Sequence, residues 1–172
     1  MAAIRSATAQ DAGSISHVHV ESWRSTYKGV VPGDYFAKLD ESARTASWGE
    51  WIESGVPVFV ATQEGVVVGF ISGGPIRDPI GGYDAELFTI YLLQHVQRRG
   101  IGTALLRRLA SHLDKDGFKS MAVWVLEDNV SSGFYEKSGA LRISSKEIEI
   151  GGVLLPVVAY GWPSLQTILS PE

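Results

Sequence analysis

Hydrophobic and polar positions change period along the chain, and the changes mark its elements. Met1 to Ala7 predicts a short strand, with Thr8 as the cap of the helix that follows. From about Ala9 to Tyr27 the apolar positions, Ile15, Val18 and Trp23 among them, suit a helix. Gly29 and Pro32-Gly33 punctuate it, Asp34 to Leu39 reads as a short helical turn, and Glu41 to Ser54 as a helix stopped by Gly55 and Pro57. The period then becomes that of strands. Val58 to Thr62 and Val66 to Gly73 flank the turn Glu64-Gly65, and Glu86 to Leu93 follows a loop rich in glycine and proline.

Gly100 to Leu113 predicts the next helix, with Ile101, Ala104, Leu105 and Leu109 on one stripe and Gly117 past its end. Ser120 to Leu126 is a strand, 130–138 a short helix before Gly139, and Leu141 to Ile150 with Val153 to Gly161 a closing antiparallel pair around Gly151-Gly152. Strands interleaved with helices and hairpins predict a mixed α/β fold, with a central mixed sheet flanked by helices. No linker or repeat divides residues 1–172, so a single domain is expected.

Composition narrows the function classes. The chain of 172 residues is 45% hydrophobic and 20% charged, values ordinary for a soluble globular protein. No apolar run has the length of a membrane span, and the N-terminal residues lack the apolar core of a signal peptide, so a cytoplasmic protein without a membrane partner is expected. With no cysteine there is no disulfide, thiolate metal site or cysteine nucleophile. The net charge of -4 argues against a nucleic-acid partner. Charge is uneven, however. Between Gln94 and Ser120 six cations face two anions, giving +4 there and -8 elsewhere. That distribution suits one anionic ligand at the basic segment and a cationic second ligand elsewhere.

The anion site is localised by residues 87–106, LFTIYLLQHVQRRGIGTALL. A strand runs through Gln97-Arg98-Arg99-Gly100-Ile101-Gly102-Thr103 into a helix. A helix N-terminus carries unpaired N–H groups and partial positive charge. Glycines let a phosphate approach the backbone, and the arginines add donors. A dinucleotide fingerprint would need glycine where Leu105 stands, and a P-loop would need Gly-Lys-Ser/Thr where Gly102-Thr103-Ala104 stands.

At these residues the chain resembles the GCN5-related N-acetyltransferase (GNAT) family, whose Gln/Arg-x-x-Gly-x-Gly/Ala motif fits Gln97, Gly100 and Gly102. A second motif about 30 residues on, Asn129 followed by Phe134-Tyr135-Glu136-Lys137-Ser138-Gly139, is similar to the family's Asn…Phe-Tyr-Glu-Lys-x-Gly, with one residue fewer between Asn129 and Phe134. The order of predicted elements is also the family's.

The resemblance implies acetyl-coenzyme A as cosubstrate. The amides from Arg98 to Thr103 are expected at its pyrophosphate, the backbone of Ile90, Tyr91 and Leu92 along its pantetheine arm, and Asn129 and Tyr135 as further contacts. It also implies a sheet splayed at that strand. The implied activity is direct acetyl transfer to the primary amine of a small molecule. An acyl-coenzyme A sensor without catalysis, a protein N-terminal acetyltransferase and another nucleotide-binding enzyme stand as alternatives.

Acetyl transfer from a thioester needs a neutral amine, although a lysine-like amine has a pKa of about 10. It also needs donors for an oxyanion and an acid for a departing thiolate. Tyr135 matches the family position of the acid. Glu86, at the start of the cofactor strand, is the candidate base, directly or through water, with Asp84 as an alternative nearby. Glu127 and Asp128, at the end of the neighbouring strand, are candidates for binding a cationic amine. Trp23 and Tyr27, four residues apart, share a helix face and are candidates for lining the acceptor pocket. His17 and His19 fall on different helix faces, His95 and His112 stand apart, and no HExxH occurs, so no metal site is expected and structural roles are assigned to all four. A homodimer through the closing strands is a further expectation.

Overall fold

A computed structural model describes residues 2–27, 29, 32, 40–127 and 132–170. The turn expected over 34–39 and the positions of Asp128 and Asn129 lie outside the described residues. Seven strands form one sheet: β1 (Ala3–Ser6), β2 (Val58–Gln63), β3 (Val66–Pro75), β4 (Ala85–Leu92), β5 (Met121–Leu126), β6 (Leu141–Ile150) and β7 (Val153–Trp162). Their spatial order is β1-β2-β3-β4-β5-β7-β6. All neighbours are antiparallel except β4 and β5, which are parallel and joined by a helical crossover. Among the described residues the α-helices are α1 (Ala12–Thr26), α2 (Glu41–Glu53), α3 (Ile101–Lys115), α4 (Ser132–Lys137) and α5 (Gln166–Leu169).

Both faces of the sheet are covered, which explains why β3 reads as an almost unbroken buried run. On one face α3 inserts Leu105, Leu106, Leu109 and Leu113 among Ile71, Leu87, Met121 and Trp162. On the other, α1 and α2 bring Ile15, Val18 and Trp48 against Val60 and Phe70. The α-helical part of α1 starts three residues later than expected, after a 3₁₀ turn over Ala9–Asp11. The cause is local. Asp11 is gripped by Arg5 at 2.8 and 2.9 Å and accepts the Thr8 N–H at 2.8 Å, so the first turn closes on its own side chain. Asp40 caps α2 by accepting the Ser42 N–H at 2.8 Å.

The β2–β3 turn has positive φ at both Glu64 (52°) and Gly65 (80°), the backbone that a two-residue hairpin requires. The closing hairpin also has the expected antiparallel pairing, and its β6 is the sheet's edge. α5 has no counterpart in the sequence reading. One turn is too short to show a period, and it is held by burial of Leu165 and Ile168.

The feature that positions the site is the separation of β4 from β5. They pair only at Ala85↔Met121, Glu86↔Ala122 and Leu87↔Val123. β4 then continues to Leu92, hydrogen-bonded to β3, and β5 to Leu126, hydrogen-bonded to β7. At the fork the β3–β4 register slips from Ser72↔Thr89 to Gly73↔Leu87, so Phe88 is an extra residue on β4. Such a bulge bends its strand and re-aims the side chains around it. The splayed sheet expected from the resemblance is therefore present.

Candidate active site

The loop between β4 and α3 has the backbone of an anion cradle. Gly100 caps α3 with φ 82°, and Arg98 also has positive φ, 62°. Among the described residues no atom beyond its chain neighbours lies within 4 Å of a Cβ built on Gly100, so the left-handed backbone, not crowding, calls for glycine there. The helical ladder begins with the Ala104 N–H donating to Gly100 O at 3.1 Å. The amides of Ile101, Gly102 and Thr103 precede it, as the first amides of any helix do. Gln97 ties this loop to the strand by donating from Nε2 to Leu92 O at 3.3 Å. Gly102 sits against Phe134, whose ring would be 3.5 Å from an added Cβ. The two sequence motifs thus meet in space.

The fork between β4 and β5 opens into a cavity of about 670 Å³. Ile90 and Tyr91 line it, as do Trp23, Tyr27, Glu86 and Tyr135. Beyond Leu87, no strand among the described residues pairs with the β5-facing edge of β4. That edge can accept an extended ligand by strand addition. A fork, a bare strand edge and a helix N-terminus in line fit a long ligand that has an amide-bearing arm and ends in phosphates.

Tyr135 enters the cavity wall from α4. Its ring is stacked on Tyr160, with centroids 5.8 Å apart, and stands edge-on to Trp162. The residue is 4% exposed, and among the described residues nothing hydrogen-bonds to its hydroxyl. Burial, with Tyr27 nearby, raises its pKa well above the ordinary phenol value, so the O–H keeps its proton.

Glu86 is buried and ion-paired. Its Oε2 accepts from Arg77 Nη2 at 2.6 Å, and its Oε1 accepts from the Arg77 Nε and backbone N–H at 3.2 and 3.1 Å. Arg77 in turn lies over the Phe88 ring at 4.3 Å. Asp84 is engaged differently. Its carboxylate accepts from the amides of Lys119 and Ser120 and from the Ser120 hydroxyl, each at 2.9 Å, tying the start of β4 to the start of β5. Burial opposes the charge, but these donors together keep its pKa below the ordinary value.

Trp23 donates from Nε1 to the Tyr91 hydroxyl at 2.8 Å, and its ring lies 4.7 Å from that of Tyr27. The pair therefore builds the α1 wall. Glu127 is not brought to the cavity. It is exposed past the end of β5, where Arg142 reaches it at 3.4 Å.

His19, to which sequence reasoning gave a purely structural role, also lines the cavity. It stacks on Tyr91 at 5.1 Å, and its Nδ1 accepts the Trp48 indole N–H at 3.4 Å. Burial first, and the positive charge of Arg44 second, push its pKa down to about 4. Arg44, Arg77 and Lys146 were also missed. They reach the cavity from α2, the β3–β4 loop and β6, and no local motif joins those segments.

Residues 18–140 match the model of the acetyltransferase (GNAT) family. The chain is 44% identical over 169 residues to the uncharacterised N-acetyltransferase YuaI of Bacillus subtilis, covering 98% of this chain and 96% of that protein. Its fold is similar to that of an N-acetyltransferase from Staphylococcus aureus, with TM-score 0.75 at 22% identity over 96% of this chain and 99% of that one. It is similar too to the PaiA N-acetyltransferase of Thermoplasma acidophilum solved with coenzyme A, with TM-score 0.72 at 21% identity over 94% and 99%. By its sequence match, its relatives and its forked sheet, this chain belongs to the GNAT family of acetyl-coenzyme A-dependent N-acetyltransferases.

Proposed function

We propose that the chain acetylates the primary amine of a small molecule, directly and without an acyl-enzyme. The observation that carries this reading is the Tyr135 hydroxyl, protonated and without a hydrogen bond among the described residues, in the wall of the cavity where β4 leaves β5. Acetyl-coenzyme A supplies the thioester and the thiol leaving group. Gln97, Arg98, Arg99, Gly100, Ile101, Gly102 and Thr103 would hold its phosphates, and the free edge of β4 at Ile90–Leu92 its arm.

The chain's own residues then divide the work. Tyr135 donates to the departing sulfur. Since its pKa lies above the roughly 8.5 of an ordinary thiol, it stabilises thiolate charge by a hydrogen bond, and the amine's proton ends on the thiol. Glu86 accepts a proton from the amine, directly or through water. Arg77 keeps its carboxylate oriented and fills both sites of Oε1 and one of Oε2, which leaves one acceptor site on Oε2. Trp23 and Tyr27 wall the acceptor side.

Calorimetric titration with acetyl-coenzyme A, its analogue lacking the 3′-phosphate and ATP tests this reading, followed by an amine screen. Selective acetyl-coenzyme A binding with turnover of a small amine supports it. Selective binding without turnover of any amine supports an acyl-coenzyme A sensor instead.

A further inference from the structure

The cavity walls are more cationic than the chain around them. Among the described residues they carry Arg44, Arg77 and Lys146 against Asp78 and Glu86, in a chain of net charge -4. Arg77 and Glu86 neutralise each other. Lys146 is exposed, with its ammonium 4.2 Å over the Trp124 ring, a contact that leaves its N–H donors free for an acceptor. Asp78 is exposed to solvent.

Arg44 is the informative member. It is half-buried on α2, and among the described residues no carboxylate lies within 4.0 Å of it. A guanidinium has five donors and no acceptor, so an arginine at the cavity wall can offer a fork of donors to a bound oxyanion. It lines the cavity together with His19 and Tyr91.

His19 adds a donor of fixed sense. The Trp48 indole can only donate, so His19 Nδ1 is the unprotonated nitrogen and Nε2 carries the hydrogen. Arg44, Lys146 and the Nε2 of His19 thus offer donors from three different walls of the cavity.

We propose that the amine substrate also bears a carboxylate or another compact oxyanion, and that Arg44 receives it, with Lys146 and His19 in the same walls. This reverses the expectation of a cationic acceptor drawn from the net charge outside the basic segment. Net charge sums the whole surface, whereas an acceptor meets only the walls. A polyamine would bring positive charge to a cavity already in cation excess. The inference rests on the acetyltransferase reading for its amine, and its test separates the two.

Wild-type protein, R44Q and R44K are titrated calorimetrically with methionine, phenylalanine and glutamate, with their carboxamides and with spermidine, and acetyl transfer to the same compounds is followed by thiol release. The expected result is at least tenfold tighter binding and tenfold higher kcat/KM for an acid than for its amide. R44Q should abolish that preference and R44K keep part of it, with acetyl-coenzyme A affinity and Tm unmoved in both variants. Equal binding of acid and amide, preference for spermidine, no binding of any acid, or an acid preference that survives R44Q would overturn the proposal. Acids bound through Arg44 but never acetylated would uphold it and sink the acetyltransferase reading. Acetylation without acid preference would do the reverse.

Discussion

Arg77 holds Glu86 by both carboxylate oxygens, and the two side chains are buried very unequally, 58% exposed for the arginine and 6% for the glutamate. The asymmetry decides what the pair does. Water screens the arginine, so it loses little when unpaired. The glutamate sits where an uncompensated charge is costly. Arg77 therefore serves as the counter-ion of an acidic side chain in the cavity wall.

The R77Q variant should accordingly lose about 1–3 kcal/mol of stability, the usual cost of stranding a buried charged group, and several degrees of Tm. The double variant R77Q/E86Q should recover most of that loss, because it strands no charge. Urea unfolding of wild type, both single variants and the double variant closes the cycle. Additive losses would show that the two groups are energetically independent.

Tyr135→Phe removes a hydroxyl that bonds to nothing among the described residues. Tm should therefore hold while kcat falls about 10²-fold, the lower range for a lost hydrogen-bond donor to developing negative charge. Since burial holds the phenol above its ordinary pKa of 10.0, the wild-type rate should show no alkaline loss from Tyr135 up to that pH. A Tyr135→Phe enzyme with wild-type kcat would remove Tyr135 from the chemistry.

Much of this architecture was legible because local chemistry repeats a few solutions. Glu64-Gly65 between alternating runs announced a hairpin, and the α3 stripe announced a buried helix face, although Ala104 is exposed and Leu106, Ala110 and Leu113 complete that face instead. The meeting of Gly102 with Phe134 followed from two motifs whose separation matched a known family. The cavity's charge was not legible. Arg44, Arg77 and Lys146 come from segments more than 30 residues apart in places, and each alone looks like a surface cation. His19 was hidden for a related reason, since two histidines at i and i+2 on an amphipathic helix point to no site. Only the packing of α1 on Tyr91 and Trp48 turns one of them inward.

Gly100→Ala separates backbone from contact. There is open space for the methyl group, so the whole cost arises from holding an L-residue at φ 82°, about 1–2 kcal/mol. Relaxing that angle would also turn the first amides of α3. Acetyl-coenzyme A affinity should fall along with Tm. Calorimetry beside thermal melting checks both. A variant with lowered Tm and unchanged affinity would mean that the α3 N-terminus does not hold the phosphates.

His19 gives the fold an acid sensitivity with a defined window. Its folded-state pKa of about 4 lies below the 6.5 of the free side chain. Between those values the unfolded chain is protonated at this residue and the folded chain is not, so unfolding takes up a proton and stability falls as the pH drops. The loss amounts to about 3 kcal/mol over the window, at roughly 1.4 kcal/mol per pH unit. Asp11 and Asp84, whose pKa values are lowered by their donors, weaken the fold only as the pH falls below the ordinary value of 3.8. Urea unfolding at pH 7, 5.5 and 4.5 should therefore show a steady loss in the wild type and a nearly flat profile in H19Q, whose carbonyl can still accept the Trp48 N–H. R44Q should shift the wild-type loss toward lower stability cost, since the Arg44 charge contributes to the depression. An H19Q profile as steep as the wild type's would place the acid-sensitive group elsewhere.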